Sequence, residues 1–248
     1  EEKGYLSLEL SVAQEPGHAS RPPETQAAAV LARALCRIDK KPFPWKLVPT
    51  VESFFKQIAP FMQGFQSFAM RHARALGHLF FAVAGKDPAI ASMLRTTVAM
   101  TQLEGSAADN VLPSEARAII NLRLLQPWSA EDAANFIKKT VNDGRVKIEP
   151  YGLGTGPVAA SRDFKRSGWH EIEAALAEAW PGVPMLPFIM VATTDSRHYQ
   201  ELADAIFRFD PYKLDPKEMG GIHGHDERIS VENLKQGLIF YTKLVEGL

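Results

Sequence analysis

One segment near the carboxyl end combines residue types that could bind a metal ion. It runs Gly-Gly-Ile-His-Gly-His-Asp-Glu-Arg over residues 220–228, just before an apolar helical pattern. Glycine lets the backbone approach an ion closely, and neutral histidine is a common zinc ligand. Asp226 and Glu227 could fix the tautomer of the His223 ring by accepting its second N–H. One histidine cannot hold a metal, so a complete site needs side chains from elsewhere.

A second candidate, Arg197, lies in the segment Thr-Thr-Asp-Ser-Arg-His-Tyr over residues 193–199, which follows an apolar strand pattern and opens a helical one. Ligands often bind at the carboxyl end of such strands, and helix N-termini and guanidinium groups both favour anions. Arg197 could therefore bind a carboxylate. The alternative is a capping Thr194 or Asp195 beside a surface arginine, and local sequence does not separate the two interpretations.

Two further candidates lie on loops. His18 follows a strand pattern in Gly-His-Ala-Ser, where a rigid scaffold could present its ring to a substrate, although a solvated histidine is the alternative. Asn110 lies in the turn-like stretch Asp-Asn-Val-Leu-Pro and could cap a turn or adopt left-handed geometry. A serine nucleophile is not indicated, because no Gly-x-Ser-x-Gly elbow occurs. Cys36 lies in a helical pattern without a partnered histidine.

The first part of the chain, which must position several of these residues, has the sequence pattern of an α+β fold. Alternation of apolar and polar residues predicts the first strand, and a helical pattern follows it. A Pro- and aromatic-rich insertion of helical segments then separates this pair from the later strands. The predicted elements are a strand at 5–12, a helix at 24–38, the insertion at about 41–94, strands at 96–103 and 116–125, a helix at 129–141 and a strand at 146–148. This order is typical of a two-layer sandwich of the split βαβ type, with helices on one face of an antiparallel sheet.

The pattern changes to α/β after a glycine-spaced stretch at 151–157, which we interpret as a linker rather than a phosphate loop. The later part is predicted to contain helices near 161–179, after Thr194 and at 231–245, and strands at 185–191 and 206–209. Two strands cannot bury both faces of a parallel sheet, so the missing strands must come from elsewhere. We therefore predict two domains, residues 1–155 and 156–248.

Composition restricts the possible partners. The 248 residues carry a net charge of −1, which argues against a nucleic-acid or anionic-membrane partner. The single cysteine allows no internal disulfide and fits a reduced compartment. The first residues do not resemble a signal peptide, and the chain opens on a strand pattern without an initiator Met, which suggests a longer product. We favour a cytoplasmic location, with a periplasmic or secreted one left open.

Taken in order, four segments resemble the zinc-dependent aminoacylase and carboxypeptidase family, which includes carboxypeptidase G, aminoacylase and succinyl-diaminopimelate desuccinylase. The similarity is greatest to the carboxypeptidase S and N-acyl-amino-acid hydrolase branch. The last segment is long and specific, and the shorter ones support it by order and spacing. The segments are residues 17–23, 110–113, 194–197 and 222–234. The resemblance covers nearly the whole chain, but only the later part of the family's full length.

The resemblance implies a fold and a set of roles. Residues 1–155 would be the α+β lid and dimerisation domain with its helical insertion, and residues 156–248 the C-terminal half of an α/β di-zinc catalytic domain. His223 would be a zinc ligand, Arg197 and Asn110 would hold the substrate's carboxylate, and His18 would stabilise the oxyanion. The implied reaction is hydrolysis of an N-acyl amino acid or short peptide, with two zinc ions, or cobalt or manganese, and a possible lid-mediated homodimer.

The chain departs from the family because no counterpart is identified in it for the family's His-x-Asp motif, its bridging Asp or its paired catalytic Glu residues, one of them the general base. We therefore expect the isolated chain neither to bind zinc tightly nor to hydrolyse a substrate. The alternative function is a non-catalytic binding or dimerisation module derived from the lid.

Overall fold

The computed structural model describes residues 1–159, 168–222 and 224–247. These residues divide into two units. The first comprises Glu1–Ala159 with Phe188–Thr193, and the second comprises Ala160–Pro187 with Thr194–Leu248. The predicted domain boundary near residue 155 stays a prediction.

An antiparallel sheet forms the centre of the first unit. Its strands are β1 (Gly4–Ala13), β3 (Thr97–Glu104), β5 (Glu115–Leu124) and β6 (Lys147–Pro150), arranged in the order β3-β5-β1-β6. A small second pair consists of β2 (Gly17–His18) and β4 (Val111–Leu112). Helices α1 (Ala27–Lys40) and α7 (Ala130–Val141) pack against each other and against β1. The predicted two-layer α+β sandwich is therefore confirmed.

The alternation in β1 explains which face of the sheet the helices cover. Leu6, Leu8 and Leu10 are buried in one core with Val30 of α1 and Ile137 of α7. Side chains of a strand alternate between faces, so the intervening serines and Glu9 lie on the opposite side. Helix α7 begins as the sequence predicts, because Ser129 Oγ accepts the backbone N–H of Asp132 at 3.0 Å.

The insertion folds into short helices around a second hydrophobic core, to which Leu125 and Ile189 also contribute. They are α2 (Pro49–Ile58), a 3-10 turn (Ala59–Phe61), α3 (Gly64–Arg71), α4 (Ala73–Leu76), α5 (His78–Ala84) and α6 (Pro88–Leu94). Val51, Phe55, Phe80 and Leu94 are buried in this core. Gly77 has φ 51° and ψ −122°, a conformation that glycine adopts without strain, and it separates α4 from α5.

A buried lysine ties the start of the sheet to the end of the insertion. Lys3 is fully buried, and its Nζ donates to the carbonyl oxygens of Ser92 at 2.9 Å and Arg95 at 2.8 Å, where α6 ends. These hydrogen bonds offset part of the free energy lost when the amine is removed from water. Burial, followed by the positive charges of Arg123 and Arg95, lowers the pKa of Lys3 from 10.5 to about 7.

This lowered pKa predicts a pH-dependent stability. Between pH 7 and 10.5 the unfolded chain binds a proton at Lys3 that the folded chain lacks, so the free energy of unfolding rises with pH. From pH 7.5 to 9 the wild type should gain about 2 kcal/mol relative to Lys3→Met, in which this dependence is absent. Urea unfolding at the two pH values measures the difference. Lys138→Met, at an exposed lysine of α7, should keep the wild-type slope; equal slopes in Lys3→Met and wild type would contradict the prediction.

The segment predicted as a linker is tied to β1. Tyr5 donates its backbone N–H to the carbonyl oxygen of Thr155 at 2.8 Å, and the Thr155 N–H donates to the carbonyl oxygen of Tyr5 at 2.7 Å. A Cβ on Gly4 would lie 2.5 Å from that Thr155 oxygen, so only glycine permits the approach. The linker predicted at residues 151–157 is therefore hydrogen-bonded along β1, and its role as a domain boundary stays a prediction.

The second unit is helical in its described part. Its helices are α8 (Trp169–Ala179), a 3-10 helix (Asp195–Tyr199), α9 (Pro216–Gly221) and α10 (Val231–Glu246). Ile172 and Leu176 of α8 pack with Phe240 of α10. No described helix of the chain is both long and apolar enough to cross a membrane.

The two strands predicted in the later part of the chain do not form. Met190 makes only an isolated bridge with Glu2, and residues 206–209 have no regular structure. A strand requires a hydrogen-bonded neighbour, and the described residues supply none at these two places beyond that bridge. Phe207 and Phe209 instead pack against the cluster formed by α8 and α10.

Candidate functional site

Two of the predicted site residues, His18 and Asn110, meet at the β2–β4 pair. Strands β2 and β4 are antiparallel, with His18 opposite Val111. One residue further along, Ala19 donates its backbone N–H to the carbonyl oxygen of Asn110 at 3.0 Å. The segments that carry His18 and Asn110, which are distant in sequence, are therefore held side by side.

The backbone fixes the hydrogen-bonding pattern of the His18 ring. Ser20 donates its N–H to His18 Nδ1 at 3.2 Å, and Arg21 donates to the His18 carbonyl oxygen at 3.0 Å, which closes the turn. Because Nδ1 accepts, the neutral ring carries its proton on Nε2. The ring is exposed in this chain. His18 Nε2 can therefore donate to an oxygen atom of a bound molecule.

Gln14 joins segments that flank the β2–β4 pair, and nothing in the sequence pattern singles it out. Its side-chain Nε2 donates to the carbonyl oxygen of Pro113 at 2.8 Å, and its Oε1 accepts the N–H of Ala27 at 2.7 Å. One amide thus joins the end of β1, the turn after β4 and the first residue of α1. Pro113 is 99 residues away in the sequence, so no local signal could have identified this role.

Asn110 lies in an exposed turn directly before β4. Its backbone carbonyl oxygen accepts the N–H of Ala19, which is the residue after His18. A side-chain amide offers two donors and one acceptor, which suits a carboxylate or a carbonyl oxygen.

Arg197 lies in the second unit, within the 3-10 helix Asp195–Tyr199. It is half-buried, and its Nε donates to the carbonyl oxygen of Thr194 at 3.1 Å. Thr194 Oγ1 lies 2.5 Å from Ser196 Oγ at the start of this helix. The prediction of a helix after Thr194 is correct in position, but the element is a five-residue 3-10 helix.

His223, the predicted zinc ligand, lies outside the described residues. Around it, Gly224 donates its N–H to the carbonyl oxygen of Gly221 at 2.8 Å, and Asp226 has φ 59°. His225 is exposed. Across residues 1–159, 168–222 and 224–247, no three His, Cys, Asp or Glu side chains converge as a metal site requires. The described residues therefore do not by themselves fit a zinc centre.

Comparison with known sequences identifies a domain family and several relatives. Residues 1–149 match the peptidase dimerisation domain. The chain is 32% identical over 248 residues to the N-fatty-acyl-amino acid synthase/hydrolase PM20D1.1 of Danio rerio, covering 99% of this chain and 48% of that protein. It is 31% identical to a probable carboxypeptidase S-like protein of Dictyostelium discoideum, covering 99% of this chain and 47% of that protein. The chain thus spans about half the length of these relatives.

Comparison with solved structures supports the fold. The M20 family metallo-carboxypeptidase Sso-CP2 of Sulfolobus solfataricus superposes with a TM-score of 0.55 at 12% sequence identity, covering 98% of this chain and 62% of that one. At this identity the likeness concerns architecture alone.

Proposed function

Because this chain belongs to the M20 metallopeptidase family, we propose that it forms the lid and the C-terminal catalytic segment of a metal-dependent amidohydrolase. The proposed reaction is cleavage of the amide bond of an N-acyl amino acid, or of a short peptide with a free carboxylate. The observation that carries this proposal is the bond from the Ser20 N–H to His18 Nδ1, which leaves Nε2 as the donor of the ring.

His18 would act on the charge that develops during hydrolysis. When a nucleophile adds to the amide carbon, the carbonyl oxygen gains negative charge. A donor already oriented by the fold stabilises that charge without reorganising. His18 Nε2–H meets this requirement because the Ser20 N–H occupies the other ring nitrogen. We propose that His18 donates to this oxygen.

Arg197 and Asn110 would recognise the carboxylate of the substrate. A guanidinium forms two parallel hydrogen bonds to a carboxylate, and an amide adds a further donor. These groups would bind the ground state and the transition state about equally, so they determine KM more than kcat.

The metal chemistry we propose belongs to the whole protein. Zinc is the proposed metal, in a two-ion site with His223 as one ligand, and cobalt or manganese are alternatives. The described residues do not complete such a site. We therefore propose that the other ligands and the general base lie in sequence outside this chain, which spans about half of its relatives.

We also propose that the lid forms a homodimer. Residues 1–149 match a domain named for dimerisation. Strand β3 lies at one edge of the sheet, and most of its side chains are exposed. An open edge offers unpaired backbone groups to another strand.

A second candidate function is a non-catalytic dimerisation or binding module. The observation that favours it is that the described residues lack a cluster of metal-binding side chains. It would require the remainder of the protein to lack the His-x-Asp motif and the Glu pair.

The proposed function is tested by comparing this chain with the same chain extended by its upstream coding sequence. The extended protein should hydrolyse an N-fatty-acyl amino acid, lose activity with a chelator and regain it with zinc. The matching N-acyl amine, which lacks the carboxylate, should be cleaved at least about 100-fold less efficiently. The isolated chain should bind zinc more weakly than about micromolar and cleave neither compound.

Two results would refute this proposal. One is sub-micromolar zinc binding with hydrolysis by the isolated chain. The other is an extended protein that carries neither the His-x-Asp motif nor the Glu pair and shows no hydrolysis, which would support the non-catalytic module.

A further inference from the structure

The helical insertion exposes large apolar side chains that its own core does not use. Phe61, Phe65 and Phe68 are 62%, 68% and 51% exposed, and Leu79 and Val83 on α5 are 62% and 60% exposed. Isolated exposed apolar residues are ordinary, but several on successive short elements indicate a contact surface. We call these five residues the insertion's apolar surface.

The phenylalanines are arranged on one side of α3. Phe65 and Phe68 have ring centroids 6.2 Å apart, and the His72 ring lies 4.6 Å from that of Phe68. Residues three and seven positions apart lie on one side of a helix. The opposite side is anchored in the core through Met70. Helix α3 therefore directs an aromatic ridge toward solvent.

The charge of the insertion differs from that of the rest of the chain. Residues 41–94 contain six Lys or Arg and two Asp or Glu, a net charge of 6 − 2 = +4. The rest of the chain therefore carries 22 basic and 27 acidic residues, a net charge of −5. The net charge of −1 for the whole chain conceals this asymmetry. The positive charges are Lys41, Lys46, Lys56, Arg71, Arg74 and Lys86.

The two carboxylates of the insertion are already engaged. Glu52 accepts hydrogen bonds from Arg74 and pairs with Lys56 at 2.9 Å, and these contacts lower its pKa to about 2. Asp87 accepts the backbone N–H groups of Ala89 and Ile90 at the start of α6. Arg71 and Lys86, by contrast, make no ion pair within the part of the chain that is described. Positive charge is thus available beside the apolar surface.

From these observations we propose that the helical insertion docks on the surface of an anionic phospholipid bilayer. Aromatic side chains enter the headgroup region, aliphatic ones follow, and nearby cations gain from the negative surface potential. A second copy of the chain fits less well. A two-fold contact through this surface would bring Arg71 and Lys86 near their own copies, with no uncommitted carboxylate on the insertion to neutralise them. The aliphatic Leu79 and Val83 favour acyl chains over stacked nucleic-acid bases.

Co-sedimentation with vesicles tests the proposal. The 248-residue chain should bind vesicles of phosphatidylglycerol and phosphatidylcholine at least about tenfold more tightly than vesicles of phosphatidylcholine alone, and added salt should weaken this binding. The variants Phe65→Ser with Phe68→Ser, and Arg71→Glu with Lys86→Glu, should each lower the affinity about tenfold or more. Circular dichroism and thermal unfolding verify that each variant is folded.

Matched variants away from the insertion serve as controls. Leu153→Ser removes an apolar side chain that is 92% exposed, and Lys138→Glu with Lys139→Glu reverses two exposed lysines of α7. Both should bind vesicles as the wild type does. The proposal is overturned if neither vesicle binds, if the insertion variants bind unchanged, if the Phe65 and Phe68 changes abolish self-association instead, or if single-stranded DNA binds and vesicles do not.

Vesicle binding needs neither a metal nor turnover. A chain that fails to bind vesicles would leave the proposed hydrolase activity untouched, and an inactive enzyme would leave the docking surface untouched.

Discussion

Replacing His18 by alanine in the full-length protein should lower kcat for an N-acyl amino acid by about 100- to 1,000-fold. The Ser20 N–H holds His18 Nδ1 as an acceptor, so Nε2 is the donor that we propose binds the developing oxyanion. That interaction strengthens only as charge accumulates on the oxygen, so KM should change by no more than about threefold. Steady-state kinetics of the wild type and the variant measure both constants.

A second histidine variant separates this role from a general effect of losing an imidazole. His170 is the second residue of α8, and its exposed ring lies 3.7 Å from Glu173. His170→Ala should leave kcat and KM unchanged. If His18→Ala instead raised KM and left kcat intact, His18 would be a ground-state binding residue and the proposed oxyanion role would be wrong.

Replacing Arg197 by alanine should raise KM by about 10- to 100-fold with a much smaller change in kcat. The guanidinium is anchored through Nε to the carbonyl oxygen of Thr194, and we propose that it binds the substrate's carboxylate. Arg197→Lys should recover only part of the loss, because an ammonium group cannot form two parallel bonds. Kinetics over a range of substrate concentrations distinguish the two constants.

The substrate offers a further control for Arg197. With an N-acyl amine, which has no carboxylate, wild type and Arg197→Ala should react at the same low rate. Arg145→Ala, at an exposed arginine paired with Asp143 after α7, should match the wild type on both substrates. An equal loss on both substrates, or a fall in kcat alone, would exclude carboxylate recognition by Arg197.

The net charge and the charge distribution lead to different expectations about a membrane partner. Net charge argued against an anionic membrane, because an almost neutral chain gains little from one. Because the insertion folds into neighbouring short helices, its own charge of +4 becomes the relevant quantity for a partner that contacts it. Local electric fields depend on which residues share a surface, and only the fold decides this.

Several elements could be predicted from sequence because their signals are local. The alternation of Leu6, Leu8 and Leu10 identifies β1 and its buried face, and Ser129 with Asp132 marks the start of α7. The order of strands and helices then restricts the first unit to a split βαβ sandwich. The resemblance of four short segments to one family supplied the candidate site residues.

Other features depend on contacts between residues far apart in the sequence. The apolar run at 185–191 has strand composition, but without neighbouring strands it forms only the bridge at Met190. Lys3 looks like a surface residue in the sequence, but it is buried because the end of α6 covers it. In both cases composition gives a propensity, and the available partners decide the outcome.

The sequence by itself determined the order of the main strands and helices of the first unit, the buried face of β1 and the side chains capable of chemistry, because these follow from the backbone's period and from residue type. Only the tertiary structure decided that β2 and β4 pair, that Gln14 joins the turn after β4 to α1, and that the His18 ring presents Nε2 as its donor. Loop closure over about 100 residues is set by the packing of the whole unit, so no local pattern encodes it.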